Sequence, residues 1–515
     1  MEALFLLLLA PLAFAFSGDD ASDDDLDTDD DLDTDDDLDT LLANEGPDTT
    51  VERTGLFVSD DLFGTNVIYT ANTDSGAPTD TFLSAVETFD VDDFRFPAGK
   101  AENIGVDGED WLDITQLTDD DELRPELTNF LDAVSGEVTL VISTTNAPMN
   151  EYGDGLAEWA KTVLDEYGDK IEAFEIGNEY WSHMSETEYG ERANIAILEL
   201  SDGIEQSNSG DPQILVQMGS PWDESEFCND VDDRDFTVRS SEANHAIIDQ
   251  LSNEAKSHVD GVVEHYYWQG NSIPFENSSS ELNYIDKDFE VWENRFDQEL
   301  DFFITEWNVK ASNITFHGLS SLSIFPEMIE NMVEQGVDAA HVWPLVHNTP
   351  NDLGGGTDDG VVETDESGRV VETLRGAVFD IMSDILPGKE LIRVEVPGVP
   401  EEFSISAFEG DGEYVFFVSN GSLEKLDMTI DLTEIVPHLE SVSTTKIGYD
   451  PSSSDGFHYV AGVGNTPASH VEVDGKAHYY DEHDVKALFT DAKHTTPEFD
   501  VSLLPHELTV IRAHY

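Results

Sequence analysis

The chain has 515 residues, 112 of them acidic against 23 Lys plus Arg, for a formal net charge of -89. A field of that sign repels nucleic acid and anionic membrane surfaces, so both are excluded as partners. Hydrophobic residues make up 39% and aromatics 10%, enough for full-sized cores in two or three domains. The acids are spread along the whole chain, which favours a surface adapted to high salt over an array of cation sites. Cys228 is the single cysteine, so no internal disulfide framework exists.

The opening MEALFLLLLAPLAFAFS is an apolar run of about fifteen residues, too short to span a bilayer comfortably. Ala13-Phe14-Ala15 supplies a small-x-small cleavage site, so residues 1–16 read as a secretory signal peptide and the protein as secreted. Glu2, with no Lys or Arg beside it, departs from the usual basic start. Residues 23–40 are DDDLDT three times over. Twelve Asp in eighteen residues cannot bury apolar surface, so 17–50 is expected to be a disordered, self-repelling tether. No later segment reads as membrane-inserted.

From residue 51 a regular alternation begins. Apolar, β-branched runs occur at 62–70, 92–97, 137–143, 171–177, 213–218, 259–267, 301–307 and 338–345. Between them lie stretches with apolar residues at three- and four-residue steps, such as 155–168, 240–257 and 323–336. Eight strands alternating with helices predict an α/β fold, a (β/α)8 barrel over 51–387. A doubly wound sheet shares this periodicity. From 388 to 515 short alternating runs broken by Gly, Asn and Pro predict an antiparallel β-sandwich, with 51–60 a candidate to pair with it.

Barrel chemistry sits at the C-terminal ends of strands. Glu179 follows the fourth run in FEIGNEYW, and Glu306 ends the seventh in DFFITEW. Each acid leaves an apolar stave, and strands four and seven face each other across the mouth. Two such acids are what glycosidic cleavage requires, one to protonate the leaving oxygen and one to attack or to activate water.

GNE at 177–179 and TEW at 305–307 resemble the acid/base and nucleophile motifs of the superfamily of retaining (β/α)8 glycoside hydrolases. FRFPAG (94–99), EHYYW (264–268) and the ending LLPHELTVIRAHY resemble its arabinofuranosidase, β-xylosidase and heparanase/glucuronidase-like branches, without singling out one family. Ala98 stands where those branches commonly have Gly. The resemblance covers roughly residues 55–515 and implies a retaining O-glycosyl hydrolase acting on a poly- or oligosaccharide. By it, Glu179 is the acid/base, its pKa held up, and Glu306 the nucleophile. Asn178 is expected to donate to a sugar hydroxyl and Arg95 to fork onto Glu306. Tyr267 is expected to donate to Glu306, with His265 on the same strand face and Tyr266 taking the role if the strand bulges. Tyr180, Trp222, Trp307 and Trp343 are the candidates for stacking on sugar rings. The long polar loop 347–368 is expected to wall the cleft. No cofactor or metal is required, although a structural calcium ion is compatible with its acids. The other reading is a non-catalytic carbohydrate-binding or calcium-binding surface protein. Sequence does not fix the sugar, the mode of attack along the chain or the oligomeric state.

Overall fold

The computed structural model describes residues 50–515 except 103–110, 230, 233, 269–277, 311–320, 348, 350, 356–361, 363, 397–402, 422–424, 434, 437, 450–457, 460–469, 474, 475, 480–486 and 505. The expected signal peptide and most of the tether lie outside the described residues.

Eight parallel strands close into a barrel. They are β1 (Gly64–Asn66), β2 (Asp93–Phe96), β3 (Glu137–Ile142), β4 (Ile171–Ile176), β5 (Gln213–Gln217), β6 (Gly261–Trp268), β7 (Asp301–Val309) and β8 (Ala339–Val342). Each coincides with one of the eight apolar runs, β6 and β7 ending one and two residues beyond theirs, and β8 pairs with β1 to complete the ring. Closure removes the doubly wound alternative. Strand residues are almost continuously buried because helices cover the outer face and side chains fill the inner one. The helices Leu156–Tyr167 and Ser321–Glu334 match two of the helical stretches. The stretch 240–257 is two helices, Phe236–Gln250 and Asn253–Lys256. Ser252 makes the break by accepting a hydrogen bond from the Ala255 amide at 3.1 Å, which starts a new N-terminus.

Beyond the barrel, a seven-stranded sheet begins at its edge with Thr50–Phe57, paired antiparallel to Glu390–Glu395. One face of the sheet joins the barrel's core through Leu391, Phe408, Phe417 and Val510. The other face holds a separate core with Phe416, Ile511, Phe499 and Val501. The last two belong to a two-stranded sheet, Leu426–Asp431 with Glu498–Leu503, which supplies the second layer. Ala487–His494 and Glu498–Leu503 are strands beyond those the sequence pattern marks. Arg393 bridges to Glu334 at 2.9 Å, linking this domain to the helix Ser321–Glu334. Among the described residues no helix is long and apolar enough to cross a membrane.

Candidate active site

At the end of β4 the chain turns sharply. Gly177 has φ +81, and a Cβ there would meet Thr144 Cγ2 at 3.0 Å and Tyr189 Cε2 at 3.1 Å, so only glycine fits. Glu179 follows at φ +46, a left-handed conformation that costs a non-glycine residue on the order of 1–3 kcal/mol. Strain of this kind at a strand end marks a residue held for a purpose. Beneath Gly177, buried Glu102 accepts from the Thr144 amide at 2.8 Å and the Thr145 amide at 3.0 Å, tying the loop after β2 to the end of β3.

Arg95 on β2 is fully buried at the centre of the mouth. Its fork closes on Glu175 rather than on Glu306, with Nε and Nη2 each donating at 2.7 Å. Nη1 donates to Glu306 Oε1 at 2.8 Å and to Asn66 Oδ1 at 2.9 Å. Nη2 also donates to Asn178 Oδ1 at 2.7 Å. One guanidinium thus orients four acceptors from β1, β4, the turn after it and β7. The expected bidentate pairing yields to Glu175 because that carboxylate, two residues along β4 from inward-facing Ala173, is fully buried. A fully buried carboxylate is costly without a paired cation. Asn178, with its oxygen held by Arg95, keeps its amide nitrogen as a donor, and that nitrogen lies beside Gly99.

On β6, His265 and Tyr267 point inward together. Tyr267 donates its hydroxyl to Glu306 Oε2 at 2.8 Å, and Nδ1 of His265 lies 3.2 Å from Glu179 Oε1 and 3.5 Å from Glu306 Oε2. Tyr266, on the opposite face of the strand, is buried away from both acids. Donor atoms of Glu179, His265 and Glu306 all lie within 4.8 Å of one another.

Burial lifts the Glu179 carboxyl, but the hydrogen bond and charge of His265, with Arg95 and His183, bring it below the usual range. Conversely, burial lowers His265, and the Glu306 and Glu179 carboxylates overcome that to raise it. The free site therefore keeps its proton on the imidazole, against the expectation that Glu179 itself is held protonated. Burial and the Glu306 charge push Tyr267 well above its usual value, so it stays a donor.

The aromatic expectations divide. Trp307 is fully buried between Phe325 and Phe379, at centroid distances of 5.2 and 6.1 Å, and does not face the mouth. Its neighbour Glu306 points inward, so strand alternation turns Trp307 out to the helices. Tyr180 is also fully buried, stacked on Tyr189 at 4.3 Å, its hydroxyl accepting from the Ser220 amide. Trp343 is partly exposed, and Gly99 lies between its ring and the Asn178 amide. Trp222 is 45% exposed and leans on Phe236. Trp181 sets its ring edge-on to His265 at 6.3 Å. Part of the loop 347–368 lies outside the described residues. Glu175, Asn66 and Glu102 are the structural members that sequence reasoning missed. Only Glu175 leaves a signal, an acid inside an apolar stave.

No protein-family model and no curated protein matches the sequence. Solved structures do. A family 51 α-L-arabinofuranosidase from Bifidobacterium longum superposes with a TM-score of 0.60 at 12% identity, covering 91% of this chain and 100% of that one. BuGH86 in complex with neoagarooctaose gives 0.55 at 11% identity over 91% of this chain and 78% of the other. A 4-O-α-L-rhamnosyl-β-D-glucuronidase from Fusarium oxysporum gives 0.53 at 10% identity over 88% and 96%. The likeness is one of fold, a (β/α)8-like barrel resembling several glycoside hydrolase families, and it assigns the chain to none of them.

Proposed function

We propose that the protein is a retaining O-glycoside hydrolase acting on a poly- or oligosaccharide, with Glu306 as nucleophile and Glu179 as acid/base. The observation that carries this reading is that one oxygen of each carboxylate comes within 4.8 Å of the other, Glu179 from the turn after β4 and Glu306 from β7. Retaining enzymes hold their carboxyls roughly 5–5.5 Å apart, whereas inverting ones leave about 6.5–9.5 Å for a water molecule. The surroundings fit unequal roles. The Glu306 side chain is 7% exposed and held by Arg95 and Tyr267, as suits an ionised nucleophile of fixed aim. That of Glu179 is 41% exposed toward the mouth, as suits a group exchanging protons with a leaving group and then with water.

In the first step Glu306 attacks the anomeric carbon while Glu179 gives its proton to the departing glycosidic oxygen. His265 supplies that proton to Glu179 as substrate displaces water, because loss of solvent makes the imidazolium–carboxylate pair costly relative to the neutral pair. Esterification then removes the negative charge of Glu306. In the second step Glu179 takes a proton from water, whose oxygen attacks the anomeric carbon and frees Glu306. Asn178 is placed to donate to a hydroxyl of the bound sugar, and Trp343 to offer a ring face. Export from the cell would bring such an enzyme to its polymeric substrate.

The test is trapping. A panel of activated 2-deoxy-2-fluoro glycosides should leave one sugar per chain on Glu306, read by peptide mass spectrometry. An active enzyme that releases product of inverted configuration, or a label on another residue, overturns the assignment.

A further inference from the structure

One turn of strand below the catalytic layer, a second group of ionisable side chains meets inside the barrel. Asp93 starts β2, Glu172 lies near the start of β4, and His341 lies on β8. These strands are not neighbours in the ring, yet donor atoms of all three lie within 4.8 Å of one another, so they converge on the barrel interior. His341 is fully buried and Asp93 is 7% exposed. Nε2 of His341 stands 3.1 Å from Asp93 Oδ2. Neither ring nitrogen of His341, nor either oxygen of Asp93, has a hydrogen bond of good geometry. Gly64 on β1 leaves the room they occupy, since a Cβ there would come 2.5 Å from Asp93 Oδ2 and 2.8 Å from His341 Cδ2.

We propose that Asp93, Glu172 and His341 form a structural site for a borderline divalent transition metal such as Zn2+, inside the barrel and separate from the catalytic carboxylates. One imidazole with two carboxylates is a donor set for zinc or manganese. Calcium and magnesium prefer oxygen alone. Three donors around Zn2+, at bonds of about 2.0–2.2 Å, stand roughly 3.3 Å apart, and the His341–Asp93 pair already has that separation. Glu172, which accepts only a 3.3 Å bond from Thr139, would close by a small side-chain shift.

Electrostatics favour a cation here over an ion pair alone. A protonated His341 brings one positive charge to two carboxylates, and Asp60, Asp61, Asp92 and Glu137 add to the negative field. Among the described ion pairs His341 is the single cationic partner of Asp93 or Glu172. An apolar cluster of Ala173, Leu215, Val263, Phe303 and Ala339 also lies within the strands and supplies no polar partner. A metal would tie β2, β4 and β8 together beside β1, where the staves are three or four residues long and ladder bonds are fewest.

The experiment is a Zn2+ titration of the chelator-treated full chain in about 1 M salt, where a screening length of roughly 3 Å suppresses loose binding to surface acids. Wild type should bind one ion per chain and melt at a higher temperature with it. Glu172→Gln and His341→Gln should each lose binding on the order of 100-fold, while Glu306→Gln keeps it. Co2+ in place of Zn2+ should give a visible absorption band that Glu172→Gln abolishes, a readout that does not depend on melting behaviour. Absence of stoichiometric binding in wild type overturns the proposal. So does wild-type affinity in both Glu172→Gln and His341→Gln, or loss of the ion in Glu306→Gln, which would place it at the catalytic carboxylates.

Discussion

Nδ1 of His265 lies 3.2 Å from Oε1 of Glu179, so the proposed acid/base shares its proton with an imidazole. Burial raises Glu179 and the neighbouring imidazolium more than offsets it, so the carboxyl of the free site titrates below its ordinary range. For the proposed acid step the pair must carry the one proton that the free site keeps on His265, so kcat/KM falls as pH rises through the raised imidazole value. His265→Gln removes the cation and leaves burial to raise Glu179. The alkaline limb of the kcat/KM profile should therefore move, from the value of a raised imidazole to that of a carboxyl raised by burial alone. A limb that does not move removes His265 from the proton balance.

Tyr267→Phe deletes one hydrogen bond to the Glu306 carboxylate, 2.8 Å long, and leaves the ring in place. Hydrogen bonds to charged groups contribute about 1.5–3 kcal/mol. The proposed nucleophile would keep Arg95 but lose its second anchor, so kcat should drop roughly 10- to 150-fold. The urea midpoint should stay within the ordinary range of surface changes. Full activity in this variant would show that Tyr267 does not orient the nucleophile.

The barrel was legible because a stave buried on both faces must be apolar along its length, and eight such runs alternate with amphipathic helices. The two catalytic candidates were legible because an acid directly after such a run breaks the pattern. Glu175 was not, since the residue that makes its burial tolerable is Arg95, eighty positions away in sequence. Nor was the Asp93–Glu172–His341 convergence, which exists only once strands two, four and eight close into a ring. Trp307 was misjudged for a local reason that the sequence contains: the residue after an inward-facing acid on a strand faces outward.

That alternation separates two tryptophans experimentally. Trp343 is partly exposed next to Gly99, whereas Trp307 is fully buried against Phe325. Trp343→Ala should raise KM roughly 2- to 13-fold, consistent with the loss of a ring platform of about 0.5–1.5 kcal/mol, and leave stability nearly unchanged. Trp307→Phe should do the reverse, opening a cavity worth about 1–3 kcal/mol with KM little altered. Parallel urea and kinetic measurements check both, and a KM effect confined to Trp307→Phe would contradict the placement.

The net charge of -89 sets a salt response. Raising salt from about 0.1 M to 1 M shortens the screening length from roughly 10 Å to 3 Å and weakens repulsion among surface acids. The melting temperature should rise over that range with NaCl as well as with KCl. A flat or falling curve would remove adaptation to high salt as the reason for the acidity.

A pH dependence of stability comes from two buried carboxyls behind β6. Burial pushes Glu264 up to about 8, with the neighbouring Asp288 charge adding to it, and burial pushes Asp288 up to about 7 against the lowering bond from Ser240. In the unfolded chain both titrate near the ordinary carboxylate value of about 4. Between that value and their folded values the native state holds protons that the unfolded state has released. Stability therefore falls as pH rises through this window and levels off above about pH 8, the reverse of ordinary acid denaturation. Glu264→Gln and Asp288→Asn retain size and a donor without the ionisation. In metal-free buffer at fixed salt, the wild-type urea midpoint should decline from about pH 5 to about pH 8 by the equivalent of a few kcal/mol. The double variant should show a markedly shallower decline. Equal slopes in the two proteins would mean that these carboxyls are not the groups that titrate.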